Sequence, residues 1–101
     1  MTNQQALMLQ IGDHVYDTVN RSVHQLEHEP WQGGTGHVYI YCRRIAVHHR
    51  KPMKFWVLCK NEDVRFRSVD TLTRATQEQL EEIQAVEHSF KKTYPRKEVH
   101  P

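Results

Sequence analysis

HVYIYCRRIAVHHRKPMKFWVLCKNEDVRFRS, residues 37–68, is the stretch whose reading decides the fold. From His37 to Arg43, Val38, Ile40 and Cys42 alternate with His37, Tyr39, Tyr41 and Arg43. That is the two-residue period of a strand with one apolar side. Ile45 and Val47 continue the run with its phase moved by one at Arg43-Arg44, which predicts a bulge or a bend there. His48 to Pro52 reads as a turn. Met53 to Lys60 returns with Phe55, Val57 and Cys59 on one side and Trp56 and Leu58 on the other. With both sides apolar, this run is expected to be the central and most buried strand. Asn61-Glu62-Asp63 has turn composition. Val64 to Ser68 alternates again, with Val64 and Phe66 expected inward and Arg65 and Arg67 outward.

The same stretch concentrates positive charge. Residues 37–67 carry Arg43, Arg44, Arg50, Lys51, Lys54, Lys60, Arg65 and Arg67 against Glu62 and Asp63, while the whole chain has a net charge of only +2. A field gathered in this way suits an anionic partner. It also suits a hairpin that wears lysine and arginine to protect its edges.

Outward from this centre the signals weaken. On the N-terminal side, Asn3 to Gln10 reads either as one helical turn packing Leu7 and Leu9 or as a frayed end. Ile11-Gly12-Asp13 is a turn, and His14 to Asn20 a strand carrying Val15, Tyr16 and Val19. Arg21 to Gly36, punctuated by Pro30, Gly33, Gly34 and Gly36, reads as a long loop, with a short helical turn as the alternative over Ser22 to Glu29. Trp31 inside it either lids the core or waits for a partner.

On the C-terminal side, Val69-Asp70-Thr71-Leu72 reads as a 3₁₀-type turn, followed by a short strand around Leu72 to Arg74. Residues 76–92 are expected to be an amphipathic helix. Thr76 and Gln79 form a capping box, and Leu80, Ile83, Val86 and Phe90 form one apolar stripe. That stripe is expected to pack on Val38, Ile40, Phe55, Val57, Val64 and Phe66, or on a partner. Residues 95–101, after the stop at Pro95, read as a disordered tail, so one domain over 1–94 is expected.

The order of elements resembles an SH3-like small β-barrel of about five antiparallel strands with one C-terminal helix. Gly12-Asp13-His14-Val15, the long connection to Gly36, and Val69-Asp70-Thr71-Leu72 carry that resemblance. Gly12-Asp13-x-Val15, Trp31-Gln32-Gly33 and Tyr41-Cys42 are also similar to the plasmid-borne type II dihydrofolate reductases, tetramers of SH3-like barrels. The connection here is longer than theirs. Arg65-Phe66-Arg67-Ser68 stands where their Val-Gln-Ile-Tyr segment lines the active pore. The resemblance therefore implies a fold and not their activity.

The composition excludes some chemistry. Short apolar runs and a mean hydropathy of −0.78 leave no membrane-spanning segment. The N-terminal residues lack the pattern of a secretory signal, and two cysteines are few for an exported domain, so a cytoplasmic location is expected. Cys42 and Cys59 would lie opposite each other if the intervening turn centres on Arg50-Lys51, and they read as buried thiols. His24 and His28 would share one side of a helix, but no third metal ligand is fixed by spacing. No cofactor, metal or catalytic constellation is expected.

Binding remains. Tyr39 and Tyr41 offer stacking surfaces, and Arg43, Arg65 and Arg67 would share their side of the sheet, with Arg50, Lys51 and Trp31 nearby. That pattern is a footprint for DNA or RNA. The alternative is a protein-interaction or self-assembly module, in which Trp31, Trp56 and the tyrosines are interface anchors of a small homo-oligomer.

Overall fold

The computed structural model describes residues 1–51, 53–59 and 64–93, with only the backbone described at 64–68 and 90–93. It is mainly β, an antiparallel sheet curled into a half-barrel with one long C-terminal helix. The elements are helix α1 (Asn3–Leu7), strands β1 (His14–Asp17), β2 (Ser22–Leu26), β3 (Trp31–Gln32), β4 (Val38–His49), β5 (Phe55–Leu58), β6 (Val64–Ser68) and β7 (Leu72–Arg74), and helix α2 (Gln77–Thr93).

The twelve-residue β4 is the spine. One side of it pairs with β3 at Val38 and Tyr39 and with β2 from Cys42 to Val47. The other side pairs with β6 from Tyr39 to Arg43 and with β5 from Ala46 to His49. Beyond β2 come β1 and then β7. The predicted bulge exists one residue further along than expected. Val23 pairs with Ala46 and His24 with Arg44, so Ile45 has no opposite number on β2.

The segment expected to be a long loop, 21–36, holds two strands, and one of them is the most buried of the strands whose side chains are described. Ser22, Val23, His24 and Leu26 of β2 are all buried. Polarity hid this strand in the sequence, and local pairing is what lets the polar groups go inside. Ser22 Oγ and His24 Nε2 share a hydrogen bond of 2.7 Å. At the β1–β2 turn the Asp17 carboxylate accepts from the backbone N–H of Val19 and of Asn20 and from the Asn20 amide.

The Met53–Lys60 run is correspondingly not the central strand. β5 is shorter, and among the described residues it pairs only with β4. Phe55 and Val57, expected inward, are each 41% exposed, while Trp56 is buried. A run of four apolar residues does not reveal which alternation faces the core. Here register decides, because Trp56 lies opposite His48 on the side that α2 covers.

Two clusters make the core. One joins Val15, Leu26, Val38, Ile40, Cys42, Val69 and Leu72 beneath Ala6 and Leu9, so the first residues do pack on the body, through Ala6 and Leu9 rather than Leu7. The other joins Val23, Ala46, Trp56 and Ile83, flanked by Tyr16, Ile45, Leu58, Leu80 and Val86. Helix α2 therefore packs on Val23, Ala46 and Trp56, not on Val38 and Ile40. Trp56 Nε1 donates to Glu82 Oε2 at 2.7 Å, tying helix to sheet. The capping box closes as expected, Gln79 N–H to Thr76 Oγ1 and Thr76 N–H to Gln79 Oε1. So does the turn at Val69, where Leu72 N–H reaches the Val69 carbonyl.

Cys42 is buried and Cys59 half-buried, with no disulfide between them. They are not opposite: Cys42 faces Arg65 across the ladder, and the Cys59 N–H bonds the Ile45 carbonyl. Residues 60–63, with the expected Asn61-Glu62-Asp63 turn, and the expected tail from Pro95 lie outside the described residues. No helix among the described residues is long and apolar enough to cross a membrane.

Two measurements check this arrangement. Val23→Ala should cost about 2 kcal/mol in chemical denaturation, a core value, where a loop site would lose under about 0.5 kcal/mol. Burial holds the half-buried His14 imidazole below its ordinary pKa of 6.5, and Asp13 partly opposes this. The folded chain prefers the neutral ring, so this stabilisation is complete above pH 6.5 and lost as pH falls through the lowered value. His14→Gln should accordingly flatten the decline of thermal stability on acidification from neutral pH.

Candidate ligand-binding surfaces

Residues opposite each other in an antiparallel ladder share a face. Trp31 pairs with Tyr39, and Gln25 with Arg43, so Trp31, Tyr39, Tyr41 and Arg43 lie on one face of the sheet. The expected tyrosine-bearing face is therefore real at this end of β4. It is also the face on which α2 packs further along, because the bulge at Ile45 brings Ala46 and His48 round to it. The helix covers the far half and leaves the near half bare.

The bare half is a cleft of about 720 Å³ lined by His28, Glu29, Trp31, Tyr39 and Tyr41. Trp31 is 58% exposed, and its ring lies 5.9 Å from that of Tyr39 at a tilt of 32°. His28 lies 5.1 Å from Tyr41 at 51°, and His37 packs beside Tyr39 at 6.4 Å. Trp31 is thus on the surface rather than over the core. Two tight features seat it. Gly33 N–H donates to the His37 carbonyl, and Gly36 takes a φ of +86°, which closes the β3–β4 turn.

A second hollow, about 510 Å³, is lined by residues 7–11 together with Glu29 and Pro30, Gln10 among them. Glu29 borders both. Met8 and Ile11 are 74% and 61% exposed. The two hollows therefore meet at Glu29, an aromatic one over the tyrosines and a more polar one at the end of α1. Sequence reasoning weighed His28 only for metal binding and did not bring it together with Glu29, Met8 and Ile11, since nothing in the periodicity joins 7–11 to 28–31. Only the fold does.

Among the residues whose side chains are described, the basic ones do not gather in this cleft. Arg43 Nε sits 2.8 Å from Glu27 Oε1, an ion pair that balances its charge beside the tyrosines. Arg50 and Lys51 lie past the other end of β4. From Tyr39 to His49 the strand runs about 33 Å, at roughly 3.3 Å per residue. The backbone register sets Arg65 opposite Cys42 and Arg67 opposite Ile40, with Phe66 opposite Tyr41. The expectation that Arg65 and Arg67 share the tyrosine side concerns side chains outside the described residues.

Nor do His24 and His28 form a pair. Ser22–Leu26 is a strand rather than a helix, and His24 is buried beside Ser22 while His28 packs on Tyr41. No group of three or more potential metal ligands occurs among the described residues.

No protein family matches this chain, and neither a curated protein nor a solved structure matches it.

Removing the Glu27 charge tests the balance at the cleft. The pair is part-exposed, so Glu27→Gln should cost less than about 1 kcal/mol of stability by urea titration.

Proposed function

We propose that this protein is a non-catalytic interaction module that captures an extended protein segment in the Trp31–Tyr39–Tyr41 cleft. The observation carrying this reading is the apolar, ring-lined cleft of Trp31, Tyr39 and Tyr41, with the Glu29 carboxylate at its border and the exposed Met8 and Ile11 beyond it. Proline-rich segments dock in aromatic-lined grooves because they arrive already extended and lose little freedom on binding. A basic residue of such a segment has Glu29 to meet. Phosphates find no unbalanced cation described at this place, and the aliphatic Met8 and Ile11 offer nothing to a polyanion. The curled half-barrel supports assignment to the SH3-like barrels, and the type II reductase resemblance stays at that level of fold.

The test is a titration of proline-rich dodecamers, with and without one arginine, followed by tryptophan fluorescence. The arginine-bearing peptides should bind more tightly. Trp31→Ala should weaken them by about 30-fold, the ~2 kcal/mol of an interface hot spot, without loss of fold. A fluorescent single-stranded oligonucleotide whose binding is lost in Trp31→Ala, with no peptide binding below about 1 mM, would replace this reading with the nucleic-acid one.

A further inference from the structure

We propose that the groove between the β4–β5 hairpin and helix α2 binds a nucleoside phosphate, in a site separate from the Trp31 cleft. The groove measures about 610 Å³, within the range of small-ligand sites. Its sheet side presents Tyr16, His48, Phe55 and Trp56, and its mouth carries the exposed Arg50 and Lys54. Glu82 of α2 forms part of the other wall.

Each part suits one portion of such a ligand. Guanidinium and ammonium groups together recognise a phosphate, the first through its planar fork and the second as a point charge. The half-buried His48 ring packs on Trp56 in the groove and offers a base a surface to lie against, while Phe55, 41% exposed, borders the groove from the edge of β5. Trp56 is fixed against His48 at 4.7 Å, against Tyr16 at 6.4 Å and by its hydrogen bond to Glu82, so this wall is preorganised. The Glu82 carboxylate accepts hydrogen bonds, and a ribose hydroxyl or an exocyclic amine supplies them. In the groove's lining the two cations, Arg50 and Lys54, face the one carboxylate of Glu82, and Lys51 is exposed between them in sequence.

The ligand's source is either a free nucleotide or a single-stranded nucleic acid, and one assay separates them. The chain has two tryptophans, so Trp31→Phe leaves Trp56 as the sole reporter. In that background AMP and a fifteen-residue oligothymidylate are titrated separately at low salt. Saturable quenching of Trp56 is expected. It should weaken by about tenfold or more in Arg50→Gln/Lys54→Gln, and in the milder Lys54→Gln if the double variant does not fold by circular dichroism. AMP binding as tightly as the oligonucleotide identifies a nucleotide site. Tighter oligonucleotide binding, with a log–log salt slope of roughly −1.4 for two phosphate contacts, identifies a nucleic-acid site. Absence of quenching by both, or quenching untouched by either substitution, overturns the proposal. Because Trp31 is absent throughout, neither result bears on the peptide cleft.

Discussion

Burial of β2 from both sides is the constraint on which the rest of the structure depends. Val23 points into the cluster under α2, and His24 and Leu26 into the cluster under α1. A five-residue strand can divide two cores only if its polar members are satisfied locally. The Ser22–His24 hydrogen bond meets that condition for the Ser22 hydroxyl and His24 Nε2. Each fully buried aliphatic side chain contributes about 1.5–3 kcal/mol, so Val23 and Leu26 together outweigh an imidazole that keeps a hydrogen bond. Among the described strands, β1 and β7 reach β4 by hydrogen bonding only through this strand.

One consequence is economy of surface. The sheet face opposite the α1 core is used twice, half under α2 and half as the open aromatic cleft. Where the helix ends its coverage, rings that would otherwise be core are left at the surface. Trp56 and Trp31 illustrate the two outcomes, one buried against Ile83 and the other 58% exposed beside Tyr39. The cationic side chains follow the same division. Arg43 is balanced by Glu27 among the tyrosines, while Arg50 and Lys54 border the groove by the helix.

How much of this was legible depended on how strongly each segment showed its period. Val38, Ile40 and Cys42 face inward as their alternation predicted, because polar neighbours left no choice of face. The α2 capping box and the Val69 turn were readable for a similar reason, being short-range hydrogen-bond patterns. β2 was not readable, since Ser22, His24 and Gln25 make a segment whose burial follows from partners rather than composition. Phe55 to Leu58 misled for the reverse reason: apolar throughout, it could be assigned to either face until its register with β4 was known. Of the candidate site, Tyr39, Tyr41 and Trp31 come together as a group, the first two by alternation and the third only through β3 pairing. Its neighbours Glu29, Met8 and Ile11 come from distant positions that only folding unites.

The unmatched Ile45 gives β4 an unusual sensitivity. Upstream of it odd-numbered residues face the cleft, and downstream even-numbered ones face the helix. Adding or deleting one residue between Ile45 and the hairpin tip would reverse that parity, swinging Ala46 and His48 away from Trp56 and bringing Val47 in their place. This part of the chain is therefore forgiving in its letters but strict in their number. Variation across the hairpin would accumulate as replacements, and length changes would be confined to connections that set no inside and outside.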